Sequence, residues 1–302
     1  MAGRAEIEAR DRGQPVIGRP VIRNLASAAV LACWALAPAN AQPKPLPMEP
    51  QHDSGQSVTG AFEGWFQNPD GTYSLLLGYF NRNLTEELDI PIGPNNRIEP
   101  GGPDGGQPTH FLTRRQWGVF TVTVPKDFGD RKLTWTLVAN RQTMVIPASL
   151  NPLWELSPFH EEGMGNTPPT VAFSEAGPSV QGPRAIPTLL ETTLANPLPL
   201  TLWVADDAKT LAGAKPPKTP PVTLRWSKFR GPGEVKFANP RPPVAEAPWQ
   251  PAAAFSGKAT TTATFSEPGE YVLRVVANDW SGDGGQGFQC CWTNAQVKVV
   301  VK

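Results

Sequence analysis

The sequence predicts an all-β chain of two tandem β-sandwich domains, the second of them immunoglobulin-like. Three observations carry that expectation. Proline and glycine supply 35 and 28 of the 302 residues, which leaves little room for long helices. Apolar residues recur with a period of two in one short stretch after another, the pattern of half-buried strands. Turn chemistry, such as Asn68-Pro69-Asp70-Gly71 and Glu267-Pro268-Gly269, separates those stretches.

The first segment reads as a leader. Arg23 precedes an apolar run from Leu25 to Leu36, and Ala39-Asn40-Ala41 follows before Gln42, so residues 1–41 have the layout of a secretory signal peptide. The run is too short to span a bilayer. Residues 1–20 are long and polar for such a leader, and read either as an over-extended gene start or as a genuine long n-region. Val30-Leu31-Ala32-Cys33 looks like the lipobox of bacterial lipoproteins, which gives a second reading in which Cys33 is lipidated. Both readings place the protein outside the cytoplasm, secreted or periplasmic. Residues 42–57 form a Pro-rich tether.

A first β domain is expected over 58–157. Ala61, Glu63, Trp65 and Phe66 lead into the Asn68–Gly71 turn, and Tyr73, Leu75, Leu77 and Tyr79 alternate on the far side, as in a hairpin. Residues 81–116 are a long irregular segment rich in Gly, Pro, Asn and charge. Phe120, Val122 and Val124 mark the next strand, and Leu133, Trp135 and Leu137 another. A tight turn at Asn140-Arg141 then leads to Met144-Val145-Ile146. A linker is expected over 158–168.

The second domain is expected over 169–302. Its rows are Leu200, Leu202, Val204; Val222, Leu224, Trp226; Ala259, Thr261, Ala263, Phe265; Tyr271, Leu273, Val275, Ala277; and Ala295, Val297, Val299, Val301. Tyr271 stands just after the Glu267–Gly269 turn. In immunoglobulin-like sandwiches a Tyr there hydrogen-bonds back across the corner between the fifth and sixth strands, two residues before a core position. Leu273 takes that core position, and Trp226 suits the buried aromatic of the third strand.

These residues carry a resemblance. Asn166-Thr167-Pro168-Pro169-Thr170-Val171 is similar to the opening of a polycystic-kidney-disease (PKD) repeat. Trp226, Gly231-Pro232-Gly233, Val235 and FSEPGEYVLRVVAND resemble its middle and end. The likeness covers about 166–302 and implies an immunoglobulin-like spacer or interaction module of secreted and cell-surface proteins, with no catalytic residues to carry over. The sequence departs from the repeat in Pro-rich insertions around 174–199 and 206–221 and in a long loop before the last strand. The 81–116 segment resembles secreted bacterial proteins of no assigned function, which implies no activity.

Basic and acidic residues balance at 27 each, so nothing electrostatic points to nucleic acid or a membrane surface as partner. No nucleophile elbow, HExxH helix, phosphate-binding loop or dinucleotide fingerprint is present. Two loops hold the candidate binding groups for a protein or a glycan. The 81–116 segment carries Arg82, Asn83, Asp104, Gln107, His110, Arg114 and Arg115, whose amide, guanidinium and imidazole groups suit hydrogen bonding to a sugar or an anion. The same residue types also build turns and cover apolar surface. The loop 278–294 carries Trp280, Phe288 and Trp292, where an immunoglobulin domain places binding residues; the alternative is that these rings cap the sandwich.

Cys290-Cys291 lies in that second loop. Adjacent Cα atoms stand closer than the usual disulfide span, so the pair reads as a vicinal disulfide, an intermolecular bond, free thiols or a soft-metal site. Asp279 and Asp283 offer oxygens of the kind Ca²⁺ takes, though without EF-hand spacing, and Asp in a Gly-rich turn is also ordinary turn chemistry. No other cofactor is expected. The function read from the sequence is therefore a secreted or periplasmic, non-enzymatic binding protein. The alternatives are a hydrolase with its site on 81–116 and a metal- or redox-linked factor centred on Cys290 and Cys291.

Overall fold

The alternating rows become strands in the computed structural model, which describes residues 51–163, 165–183, 187–210, 218–247, 253–281 and 290–302. The leader, Cys33 and most of the tether lie outside the described residues. In chain order the first strands are β1 (Val58–Gln67), β2 (Tyr73–Asn81), β3 (Leu88–Asp89), β4 (Asn96–Glu99), β5 (His110–Phe111), β6 (Arg114–Val124), β7 (Leu133–Ala139) and β8 (Gln142–Ala148). A single 3-10 turn, Pro152–Trp154, follows, and there is no α-helix among the described residues.

Two antiparallel sheets, β1-β2-β6 and β4-β7-β8, face each other, and β3 pairs with β5 beside them. The β1–β2 hairpin closes where the sequence placed a turn: Gly71 N–H donates to Asn68 O, and Gly71 takes a φ of +84° that favours glycine. Trp135, Phe111, Phe120, Leu75, Leu77, Ile98 and Leu137 fill the space between the sheets. Phe120 meets Trp135 edge to face at 5.1 Å, and the indole N–H donates to Asn96 Oδ1 at 3.0 Å.

The second half contains β9 (Thr170–Ala172), β10 (Ser179–Gln181), β11 (Pro187–Thr192), β12 (Leu198–Asp206), β13 (Thr223–Arg230), β14 (Val235–Phe237), β15 (Ala245–Glu246), β16 (Phe255–Phe265), β17 (Gly269–Asn278) and β18 (Trp292–Val301). One sheet runs β10-β9-β12-β16-β14, with β15 also on β16; the other runs β11-β18-β17-β13. All pairings are antiparallel except that of β11 with β18. The two sheets pack as an immunoglobulin-like β-sandwich, with the last strand β18 held between β17, antiparallel, and β11, parallel. The Pro-rich stretch around 174–199, expected as an insertion, supplies edge strands β10 and β11 of this sandwich.

The predicted corner is present. Tyr271 Oη donates to Glu267 O at 2.8 Å and accepts from Gly233 N–H at 3.1 Å, while Trp226 and Leu273 lie in the core. Gly231 makes room for the ring, since a Cβ there would lie 2.0 Å from Tyr271 Cδ1.

Residues Gln51–Lys302 form one compact unit in which both cores share a seam. Leu224 and Trp226 of β13 face the second core, whereas Phe229 joins the first. Thr109 N–H donates to Phe229 O at 3.1 Å, so the 81–116 segment docks on the edge of β13. Deeper in the seam, Arg274 is buried and donates through Nε and Nη2 to Asn294 Oδ1, at 3.1 and 2.7 Å. Asn294 Nδ2 donates in turn to Gly118 O across the seam. Burial pushes the Arg274 guanidinium down to about 10. Glu63 lies on the same side: Arg115 Nη2 donates to it at 2.6 Å and Gly118 N–H at 2.6 Å, yet burial still holds its carboxyl above the usual range.

Candidate ligand-binding cleft

The docking of 81–116 on β13 leaves a cleft of about 650 Å³ along the seam. One wall is Glu87, Asp89, His110 and Leu112 from the 81–116 segment. The other is Arg225, Ser227 and Lys228 from β13, with Phe237, Pro240 and Arg241 closing the far side. The short β3–β5 pair sets the first wall, because it places Asp89 directly opposite His110. On the second wall, Arg225 and Ser227 alternate with the core residues Leu224 and Trp226, so the strand's period of two turns them out of the second core.

His110 is the centre of a charge cluster. Its Nδ1 lies 2.9 Å from Asp89 Oδ1 and its Nε2 2.8 Å from Glu87 Oε2, while Lys228 Nζ lies 3.0 Å from Asp89 Oδ1. Burial by itself would lower the imidazole's pKa, but the bonds to Asp89 and Glu87 outweigh it and hold the pKa above the ordinary histidine value. The bond to His110 holds the Glu87 carboxyl below its usual range. Burial raises the pKa of Asp89, but His110 and Lys228 overcome it and the net direction is downward. Each ring nitrogen thus faces a carboxylate, an arrangement that favours the imidazolium, and Lys228 joins the cluster through Asp89. Arg225 makes no ion pair among the described residues, although it is near enough to help lower the pKa of Glu87.

The other residues proposed from the sequence fall into several places. Asn83 is fully buried: its Oδ1 accepts from Gln56 N–H at 2.7 Å, and its Nδ2 donates to Gln56 O and Asn81 Oδ1. Gln107 is also fully buried, with Nε2 donating to Pro103 O at 2.7 Å and Oε1 accepting from Gly105 N–H at 2.8 Å. Gln107 organises the segment from within, and Asn83 ties its start to the chain before β1. Asp104 receives both terminal guanidinium nitrogens of Arg230, at 3.0 and 2.8 Å, and so fastens the segment to β13. Arg82 is half-buried beside Ser57, whose carbonyl accepts from its backbone N–H. Arg114 lies over the Phe80 ring at 5.3 Å, and Arg115 over Trp117 at 3.7 Å.

In the second loop, Trp280 Nε1 donates to Pro220 O at 3.1 Å, which ties the ring back to the protein. Trp292 is buried on β18 against Gly118. Cys290 and Cys291 are bonded to each other and buried, with their sulfurs 3.9 and 3.5 Å from Asn166 O. Asp279 is buried beside Asn166. Phe288 and Asp283 lie outside the described residues. Of the proposed residues, His110 alone is among those lining the cleft.

Sequence reasoning did not single out Glu87, Asp89, Arg225 or Lys228. The run Glu86-Glu87-Leu88-Asp89 and the outward face of the Trp226 strand were the available signals, but nothing local joins them. Among the described residues no three Asp, Glu, His or Cys side chains converge on a metal-binding point. No described helix is long and apolar enough to cross a membrane.

No protein-family model matches the chain, and no curated protein does. Among solved structures, cadherin-like domains 1 to 4 of zebrafish RET are similar at 13% identity and a TM-score of 0.23, over 72% of this chain and 46% of that one. An endo-fucoidan hydrolase of glycoside hydrolase family 107 is similar at 11% identity and a TM-score of 0.21, over 84% of this chain and 33% of that one. The chain thus spans less than half the length of either, and a likeness at this level carries no functional argument.

Proposed function

We infer that the protein is a secreted or periplasmic, non-enzymatic binding protein that holds a glycan in the cleft between its two β halves. The observation that supports this reading is the composition of the cleft walls. Half-exposed carboxylates of Glu87 and Asp89 line the cleft together with Arg225 and Arg241, and the Phe237 ring, stacked on Trp226, is part of the same lining. Donors and acceptors alternating beside an aromatic face suit a ligand rich in hydroxyls. Extracytoplasmic location rests on the leader-like layout of residues 1–41.

His110 also invites a hydrolase reading, since a histidine beside carboxylates in a cleft is a frequent catalytic arrangement. Here both ring nitrogens already face carboxylates, and the raised pKa favours the charged form. An imidazolium has no lone pair with which to take a proton. The group acts better as a fixed charge that orients Glu87 and Asp89. The redox alternative is weakened by the burial of Cys290 and Cys291.

The test is calorimetric titration of the leader-free protein with neutral and acidic oligosaccharides, with product analysis on the same samples. Arg225→Ala is expected to weaken binding about tenfold to hundredfold, the equivalent of about 1.5–3 kcal/mol for hydrogen bonds to a charged group. Binding unchanged by Arg225→Ala would remove the cleft from consideration, and cleaved oligosaccharide would replace the binding reading with the hydrolase.

A further inference from the structure

At one end of the second sandwich, three neighbouring chain segments carry buried oxygens: Asn166 bonds to Asp279, and Thr167 bonds to Asp207 beside Asp206. Asp206 is the last residue of β12, Asp279 follows the last residue of β17, and Asn166 precedes β9. Asp206 is 5% exposed, Asp279 7% and Asn166 1%. Asn166 Nδ2 donates to Asp279 Oδ2 at 2.6 Å, which fixes the amide against that carboxylate. Asp279 Oδ1 accepts from Ser281 N–H and Oγ. Asp206 Oδ1 accepts from Ala208 N–H at 2.8 Å. Two oxygens are left over: Asp206 Oδ2 and Asn166 Oδ1 are both buried and have no hydrogen-bond partner.

The surroundings add negative charge and withhold positive charge. Asp207 adjoins the pair, with its Oδ2 accepting from Thr167 N–H and Oγ1. Lys209 is the basic residue nearby, and it pairs with Asp207 at 3.6 Å. No Lys, Arg or His among the described residues forms an ion pair with Asp206 or Asp279. A buried carboxylate without a counter-charge is costly, and so is an unsatisfied amide oxygen beside it. A cation reaching both oxygens would remedy both.

We propose that Asp206, Asp279 and the Asn166 side-chain oxygen form a binding site for a divalent cation of the Ca²⁺ type, with Asp207 as an outer carboxylate. The donors are all oxygens, which suits a hard cation; the nearby sulfurs are bonded to each other and offer no thiolate. Two carboxylates and an amide make an incomplete and irregular shell, and Ca²⁺ tolerates such a shell better than Mg²⁺, which demands near-octahedral geometry. The sequence offered Asp279 as a Ca²⁺ ligand together with Asp283; this site instead joins it to Asp206 and Asn166. It is independent of the cleft and of the glycan reading. By tying the start of β9 to the ends of β12 and β17, the cation would lock the end of the sandwich.

The test is titration of chelator-treated, leader-free protein with CaCl₂ by calorimetry, with MgCl₂ as control and thermal melting in parallel. One Ca²⁺ per chain is expected, with a Kd of about 10⁻³ M or tighter, the range of extracellular modules or stronger. Melting should rise with Ca²⁺. Asp206→Asn should weaken binding at least about tenfold. Without Ca²⁺ the variant should melt no lower than the wild type, because it replaces an unpaired buried carboxylate with an amide. Should that variant not fold, Asp279→Asn serves the same purpose, and the wild-type titration stands by itself. No saturable binding by the wild type, an equal response to Mg²⁺, or undiminished Ca²⁺ binding by the folded variants would each overturn the proposal.

Discussion

Replacing Gly118 with Ala tests whether the seam between the two β halves is as tightly built as its contacts imply. Gly118 lies in β6 with a φ of +48°, a left-handed conformation that L side chains rarely adopt. A Cβ at this position would lie 2.2 Å from Trp292 Cζ2 and 2.8 Å from Cε2. Trp292 is a buried, rigid ring on β18, and the Gly118 backbone is held on both sides, by Glu63 Oε2 and Asn294 Nδ2. Neither partner moves cheaply. The backbone strain is worth about 1 kcal/mol or more, and forced overpacking about 1–3 kcal/mol, so Gly118→Ala should destabilise the protein by about 2–4 kcal/mol. Gly129→Ala is the matched control. Its φ is +55°, but the nearest atom to an added Cβ is 4.0 Å away, so it carries the backbone strain without the clash. Urea unfolding followed by tryptophan fluorescence should show a lower midpoint for Gly118→Ala than for Gly129→Ala, with the slope retained. Equal midpoints for the two variants would refute the reasoning, since they would mean that Trp292 does not pack against β6.

The corner residue gives a second expectation: Tyr271→Phe removes the donor to Glu267 O and the acceptor for Gly233 N–H, and should cost about 1–3 kcal/mol in urea unfolding. The His110 cluster gives a pH dependence. The raised imidazole pKa contributes stability that is fully present below the unfolded value of about 6.5 and is lost as pH rises through the folded value. The lowered pKa values of Glu87 and Asp89 contribute stability present above about 4, their unfolded range, and lost as pH falls through their folded values. The cluster should therefore stabilise most between about pH 4.5 and 6.5, and His110→Gln should flatten the fall in urea midpoint on the alkaline side of that window. The Arg230–Asp104 pair is a partly exposed bidentate bridge. A double-mutant cycle with Arg230→Ala and Asp104→Ala should return a coupling of about 1 kcal/mol or less, and less again in high salt.

The sequence made the second sandwich legible because its signals are local and redundant. A period of two placed Leu200, Trp226, Leu273 and Val297 in the core, and a turn followed by Tyr271 located the corner within a residue. Strand β9 and the edge strands β10 and β11 were harder to see. They are short and Pro-flanked, and β11 finds its partner β18 only across a long sequence distance. The candidate site was less legible still. Residue types in 81–116 advertised hydrogen bonding, yet type does not report burial: Asn83 and Gln107 spend their amides on the backbone of their own segment and its neighbours. Glu87 and Asp89 acquire meaning from Lys228 and Arg225, which reach them through a docking that no sequence window contains.

That docking also bears on how the cleft would work. A groove between two independently tumbling modules would open and close, and its two walls would lose their register. Here Phe229 sits in the core of the opposite half, Thr109 bonds to its carbonyl, and Arg230 holds both Asp104 and Gln107 O. Arg274, Asn294 and Gly118 repeat the linkage deeper in the seam. Buried polar bonds of this kind are lost together when two halves separate, and each leaves an unsatisfied group behind, so separation is disfavoured far more than partial opening of an apolar contact. The cleft walls are then preorganised, and a ligand entering them need not supply the free energy of ordering them. The irregular appearance of 81–116 in the sequence is the consequence: a segment shaped to fit a particular strand edge has no reason to follow a period of its own.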